Sequence, residues 1–177
     1  MTEQLVIRDV QPAEYEPLGE LMVAVYSQLD GFPTPDEQPR YYELLKNIWT
    51  FAGKKDARVL VALTSQGELV GGVVYFGDMA EYGSGGSATR ETNASGIRLL
   101  AVDPTFRGSG AGRALTNFCI ALAREKGHAN VILHTTQAMQ LAWGLYERMG
   151  FVRSADLDFM QEDLPVFGFR FDLTAND

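Results

Sequence analysis

The chain has 177 residues, 46% apolar and 21% charged, with a formal net charge of -8 and one cysteine. That balance suits one globular domain large enough for a sizeable core. It argues against a nucleic-acid partner, which needs a basic surface, and against an internal disulfide; no apolar run is long enough to cross a bilayer.

QLVIRDV is short and alternates, Leu5 and Ile7 against Val6 and Arg8, which predicts a strand. PAEYEPLGELMVAVYSQL carries Leu18, Leu21, Met22 and Val25 at helical spacing. Pro12 suits its first turn, and Pro17 predicts a kink or a restart. After the proline-rich break DGFPTPDEQPR, YYELLKNIWTF predicts a second helix with Tyr41, Leu44, Leu45 and Ile48 on one face. Two apolar strands follow, 57–64 and 68–77, joined by a turn near Gln66-Gly67. Residues 78–95 have no period and predict a long loop, of the kind that covers a site or stays disordered.

GIRLLAVD predicts the next strand, ending at Pro104. GAGRALTNFCIALAREKG predicts a helix with a stripe of Leu115, Phe118, Cys119 and Leu122, stopped by Gly127. NVILHTT is a strand. AMQLAWGLYERMG is a helix with Leu141, Leu145 and Met149 on one face and Gly150 as its stop. FVRS begins a strand, and VFGFRFDL alternates strongly as the last one. A strand-helix-strand unit over 96–136 implies a parallel or mixed sheet. The reading is a single α/β domain, 1–177, with a mixed sheet and helices on both faces.

PTFRGSGAGRAL, residues 104–115, puts three glycines and two arginines between a strand end and a helix start. A helix N-terminus offers free N–H groups and partial positive charge, and glycines let an anion approach the backbone. A P-loop would need Gly-Lys followed by Ser or Thr where Gly112-Arg113-Ala114 stands. A dinucleotide loop would need G-x-G-x-x-G, and GSGAGRA gives G-x-G-x-G. The residues alone leave a plain turn and an anion site open.

LLAVDPTFRGSGAGRAL resembles the acyl-CoA signature of the GNAT family of N-acetyltransferases, Q/R-x-x-G-x-G/A after a V-x-P-type turn. Arg107, Gly110 and Gly112 match its defined positions. AMQLAWGLYERMGFVRS resembles the family's later helix, through Leu145, Tyr146, Gly150 and Phe151. The resemblance implies a mixed sheet of about seven strands, splayed after the fourth, with acyl-CoA wedged into the gap. It implies that the backbone of Leu100, Ala101 and Val102 pairs with the pantetheine arm and polarises the thioester carbonyl. It implies that Arg107, Gly108, Ser109, Gly110, Ala111, Gly112 and Arg113 hold the pyrophosphate, and that Tyr146 protonates the departing thiolate. Where many members place an asparagine on the CoA arm, this chain has Met139, with Thr136 and Gln137 as neighbouring substitutes.

The implied activity is acetyl transfer from acetyl-CoA to a small-molecule or peptide amine, with no metal, in the cytoplasm. A non-catalytic acyl-CoA-binding sensor of the same shape is the alternative. Tyr146 also reads as a core aromatic. The fourth strand lacks the family's usual glutamate, so the base candidates are His134, Glu91, Asp156, Asp158 or a water chain. Tyr82, Phe32 and Tyr41 border the acceptor side. Cys119 reads as a buried structural thiol. VFGFRFDL offers a homodimer contact if it lies at a sheet edge.

Overall fold

In the computed structural model, which describes residues 4–83 and 85–174, the apolar runs form eight strands of one mixed sheet. Residues 1–3 and 175–177 of the expected domain, and Ser84 of loop 78–95, lie outside the described residues. Strands β1 (Val6–Asp9), β2 (Ala57–Leu63), β3 (Leu69–Phe76) and β4 (Ala94–Val102) pair antiparallel in chain order. β5 (Asn130–Thr135) runs parallel to β4. β8 (Leu164–Asp172) lies antiparallel between β5 and β6 (Val152–Arg153), and β7 (Phe159–Gln161) forms a hairpin with it.

Two expectations change here. β7 falls in a stretch read as polar and irregular; it is short and carries exposed Met160, so it has no apolar period to betray it. The strand VFGFRFDL is flanked on both sides and is not an edge, which closes that route to a homodimer.

Helices α1 (Tyr15–Ser27) and α2 (Pro39–Lys46) cover one face; α3 (Ala111–Glu125) and α4 (Gln140–Met149) cover the other. Pro12 opens a short 3-10 turn, and Pro17 is absorbed in the first turn of α1, whose N–H groups have no helical acceptor anyway. The helix predicted around 41–51 ends at Lys46 and continues as a 3-10 segment, Ile48–Gly53. Leu45 and Ile48 of the predicted face are fully buried and Tyr41 and Leu44 pack against the same core, with Tyr42 and Phe51 buried beside them. In α4, Met149 of the predicted face packs on the core with Ala142, Trp143 and Tyr146, but Leu141 is 69% exposed. Loop 78–95 is anchored, with two 3-10 turns and buried Met79, Tyr82 and Ala88.

One irregularity shapes the sheet. Gly72 opposes Ala101 and Val74 opposes Arg98, so β4 spends three steps where β3 spends two. The extra residue forms a bulge at Leu99, whose φ is +62°. Side-chain parity switches there. Ala94, Leu99 and Ala101 pack on the α1/α2 side; Ile97, Leu100 and Val102 pack on the α3/α4 side. Pairing of β4 with β5 stops at Ile97–Leu133, immediately before the bulge. Beyond it the two parallel strands part.

Candidate active site

The strand ends that part leave one edge of β4 open from Arg98 to Val102. The Asp103 amide donates to the Val70 carbonyl across β3. Backbone groups alternate along a strand, so those of Val102 and Leu100 point to the open edge. The Tyr26 hydroxyl reaches Leu100 from α1 and donates to its carbonyl at 3.0 Å.

At the end of β4 the chain enters the glycine loop. Asp103 caps a 3-10 turn, Pro104–Phe106, by accepting from the Thr105 amide. Gly108 and Gly110 then take φ of +84° and +86°, where L side chains are strained. Gly110 is the N-cap of α3. The Ser109 hydroxyl accepts from the Ala111 amide at 3.3 Å. Among the described residues the amides of Gly108, Gly110, Gly112 and Arg113 make no hydrogen bond. Arg107 and Arg113 are exposed beside them. The loop is thus a cup of unpaired N–H donors at a helix N-terminus, with two cations at its rim. Gly112 has a different role from the other two. A Cβ there would lie 3.1 Å from Leu145 Cδ2, so its glycine lets α3 close on α4.

Tyr146 enters from α4. Its ring is buried and tilts against Phe151 at 5.6 Å. Gly150 ends the helix at φ +107°; the Phe151 amide donates to the Tyr146 carbonyl and the Gly150 amide to that of Glu147. The L-Y-x-x-x-G-F run is therefore a helix terminator in which Phe151 pins Tyr146. The Tyr146 hydroxyl makes no hydrogen bond among the described residues. Burial raises its pKa, so it stays protonated through the neutral range.

A family model described as "Acetyltransferase (GNAT) family" matches residues 22–151, which contain both motifs. The chain belongs to the GNAT acetyltransferase family. It is 38% identical over 92 residues to mycothiol acetyltransferase from Cellulomonas flavigena, covering 50% of this chain and 25% of that protein. It is 35% identical over 60 residues to human N-acetyltransferase 8B, covering 34% and 26%. The matches thus span about a quarter of these curated relatives. Its fold is similar to a GNAT acetyltransferase of Staphylococcus aureus, with a TM-score of 0.73 and 19% identity over 96% of this chain and 99% of that one. It is also similar to the PaiA N-acetyltransferase of Thermoplasma acidophilum in complex with coenzyme A, with a TM-score of 0.69 and 15% identity over 95% and 99%.

On this GNAT frame the remaining site residues fall as follows. Met139 is the N-cap of α4, and its sulfur receives a contact from the Thr135 hydroxyl at 3.4 Å. Three residues earlier, the Thr136 hydroxyl is buried with no partner. Such an orphan costs about 1–3 kcal/mol unless something bonds to it. His134 stands at the parting of the strands, as the residue after the last β4–β5 pair.

Both His134 ring nitrogens are engaged. Nε2 lies 2.9 Å from the Leu157 carbonyl, which can only accept, so Nε2 carries a proton. In the neutral ring Nδ1 then accepts from the Tyr82 hydroxyl at 2.9 Å. Burial lowers the His134 pKa and keeps it in that neutral form. The carboxylates weighed as bases are held elsewhere. Glu91 and Asp156 pair with Arg170, and Asp158 pairs with Arg153 through two oxygens. Cys119 is buried, which raises its pKa.

Two adjoining clefts open beside this region. One, of about 490 Å³, is lined by Phe32, Glu37, Tyr41, Glu162 and Leu164 among others. The other, of about 440 Å³, reaches Gln137 and Ala138. Sequence reading missed Tyr26, although it continues the buried Leu18, Met22 row at i+4. It also missed the Tyr82–His134 link, which joins residues 52 positions apart and leaves no local signal.

Proposed function

We propose that the chain is an acetyl-CoA-dependent N-acetyltransferase acting on an amine. The observation that carries this reading is the open β4 edge with the unpaired amide cup at one end, and Tyr146, its hydroxyl unbonded among the described residues, packed in the same cluster as Leu100 and Val102. The residues present fit the cofactor. The cup, from Arg107 to Arg113, offers N–H donors and positive charge to a pyrophosphate. Leu100, Ala101 and Val102 offer strand-type backbone to the pantetheine amides. The orphaned Thr136 hydroxyl supplies a polar contact where Met139 replaces an asparagine.

Acetyl-CoA, when bound, supplies an activated acyl group. A backbone N–H of β4 aimed at the open edge would stabilise the negative charge that develops on the carbonyl oxygen. As the N–C bond forms and the C–S bond breaks, Tyr146 donates its proton to the departing sulfur. The amine's proton leaves to solvent, and solvent returns a proton to Tyr146. His134, with both ring nitrogens engaged, holds the Tyr82 hydroxyl and the Leu157 carbonyl in place and takes no proton from the amine.

The test is a thermal-shift titration with acetyl-CoA, with adenosine nucleotides and NAD as controls, followed by a thiol-release assay over an amine panel. At 100 times its dissociation constant acetyl-CoA should add about 2.7 kcal/mol of stability. Thiol release that depends on both acetyl-CoA and an amine supports the reading. Binding without release across the panel would favour a non-catalytic acyl-CoA sensor.

A further inference from the structure

Five arginines lie on strands: Arg8, Arg58, Arg98, Arg153 and Arg170. Four of them pair with carboxylates: Arg8 with Glu14, Arg58 with Asp9, Arg153 with Asp158, Arg170 with Glu91 and Asp156. Arg98 has no carboxylate partner among the described residues. It is half-buried, and its Nη1 donates to the Tyr82 carbonyl at 3.0 Å. Its guanidinium lies 5.8 Å from the Phe51 ring centre and 5.9 Å from that of Tyr82. One of five N–H donors is therefore used. Glu81, the acid next to Tyr82, faces Lys54. A half-buried guanidinium left without an anion carries an uncompensated charge. Two aromatic rings and one carbonyl orient this one without neutralising it.

Its place in the fold says what the anion belongs to. Arg98 is the first β4 residue beyond the last pair with β5, so it stands at the root of the open edge. The bulge at Leu99 follows it and keeps both on the α1/α2 side. The amide cup begins past Val102, roughly 13 Å farther along at strand spacing. The pyrophosphate is therefore out of reach. Two residues on from Arg98, the Leu100 carbonyl accepts from Tyr26, whose ring meets that of Tyr41 at 6.2 Å, and Tyr41 lines the larger cleft. That cleft is lined in part by Glu37, Glu162 and Asp163, which favour a cationic amine over a bare anion.

We propose that Arg98 binds a carboxylate of the acceptor, so that the acceptor is an α-amino acid and not a simple amine or polyamine. This rests on the acetyl-transfer reading for the acceptor's role. The planar guanidinium fork matches a carboxylate through two parallel hydrogen bonds.

The test uses the full chain in the presence of CoA. Each common α-amino acid is compared with its carboxamide and its descarboxy amine by thermal shift. At least one amino acid should stabilise the wild type while its two uncharged-end analogues do not. Arg98→Gln should weaken that amino acid's binding roughly ten- to a hundred-fold and leave the acetyl-CoA shift unchanged. The proposal is overturned if the wild type prefers no amino acid over its carboxamide, or if a folded Arg98→Gln keeps the preference. If Arg98→Gln does not fold, the wild-type comparison decides. A carboxylate preference without an acetyl-CoA shift would sink the acetyl-transfer reading and leave the anion site standing.

Discussion

The Tyr26 hydroxyl donates to the Leu100 carbonyl at 3.0 Å, joining α1 to the strand edge that the parting of β4 and β5 exposes. Burial raises the Tyr26 pKa, so the hydroxyl remains a donor at any physiological pH. The bond holds the segment just after the Leu99 bulge, where the backbone departs from strand geometry. Tyr26→Phe should cost about 1–3 kcal/mol, because a carbonyl loses its partner while the ring still fills its place. It should also raise KM for acetyl-CoA. Chemical denaturation and steady-state kinetics check the two effects; unchanged KM would mean that Leu100 is not part of the binding edge.

Tyr146 differs from Tyr26 in having no bond to lose. Tyr146→Phe should leave stability within roughly 0.5 kcal/mol of wild type, as for a substitution that removes no contact. Its thermal shift with acetyl-CoA should also persist. Turnover should fall by roughly a hundred-fold or more, the usual contribution of a positioned general acid. A variant with full turnover would return Tyr146 to the role of a core aromatic.

The legible parts of this molecule were those written in local backbone chemistry. Gly110 and Gly150 are read from sequence because a left-handed residue at a helix end selects glycine whatever surrounds it. The Leu99 bulge was not legible, since leucine has no preference for positive φ; tertiary packing imposes it. The face of α4 was misread at Leu141, which is apolar and yet exposed, since periodicity alone does not say which end of an apolar stripe meets the core. The ion pairs of Asp156 with Arg170 and of Asp158 with Arg153 were not legible either, because the partners are set by β-sheet register.

His134 predicts a pH dependence. Burial depresses its folded pKa below the ordinary 6.5. The unfolded chain therefore takes up a proton first as pH falls. The stability linked to the neutral ring is complete above about 6.5 and declines as pH drops from there toward the folded pKa. His128, also shifted down by burial, acts in the same direction. Thermal melts from pH 8 to 5 should show the fall, and His134→Gln should flatten part of it. A slope identical in the two proteins would assign the whole effect to other groups.

The two glycines of the signature should fail differently. Gly110→Ala places a side chain at φ +86° with no atom within 4 Å of its Cβ. Its cost is backbone strain, about 1–2 kcal/mol, and the cup would relax out of shape. Gly112→Ala meets no such strain; its Cβ would press on Leu145 Cδ2 at 3.1 Å, the residue next to Tyr146. We expect Gly110→Ala to weaken acetyl-CoA binding more than turnover of the bound complex. Gly112→Ala should shift α4 and lower turnover by displacing Tyr146. Separate measurement of the dissociation constant and single-turnover rate distinguishes the two, and equal effects on both constants in both variants would show that the glycines serve one function.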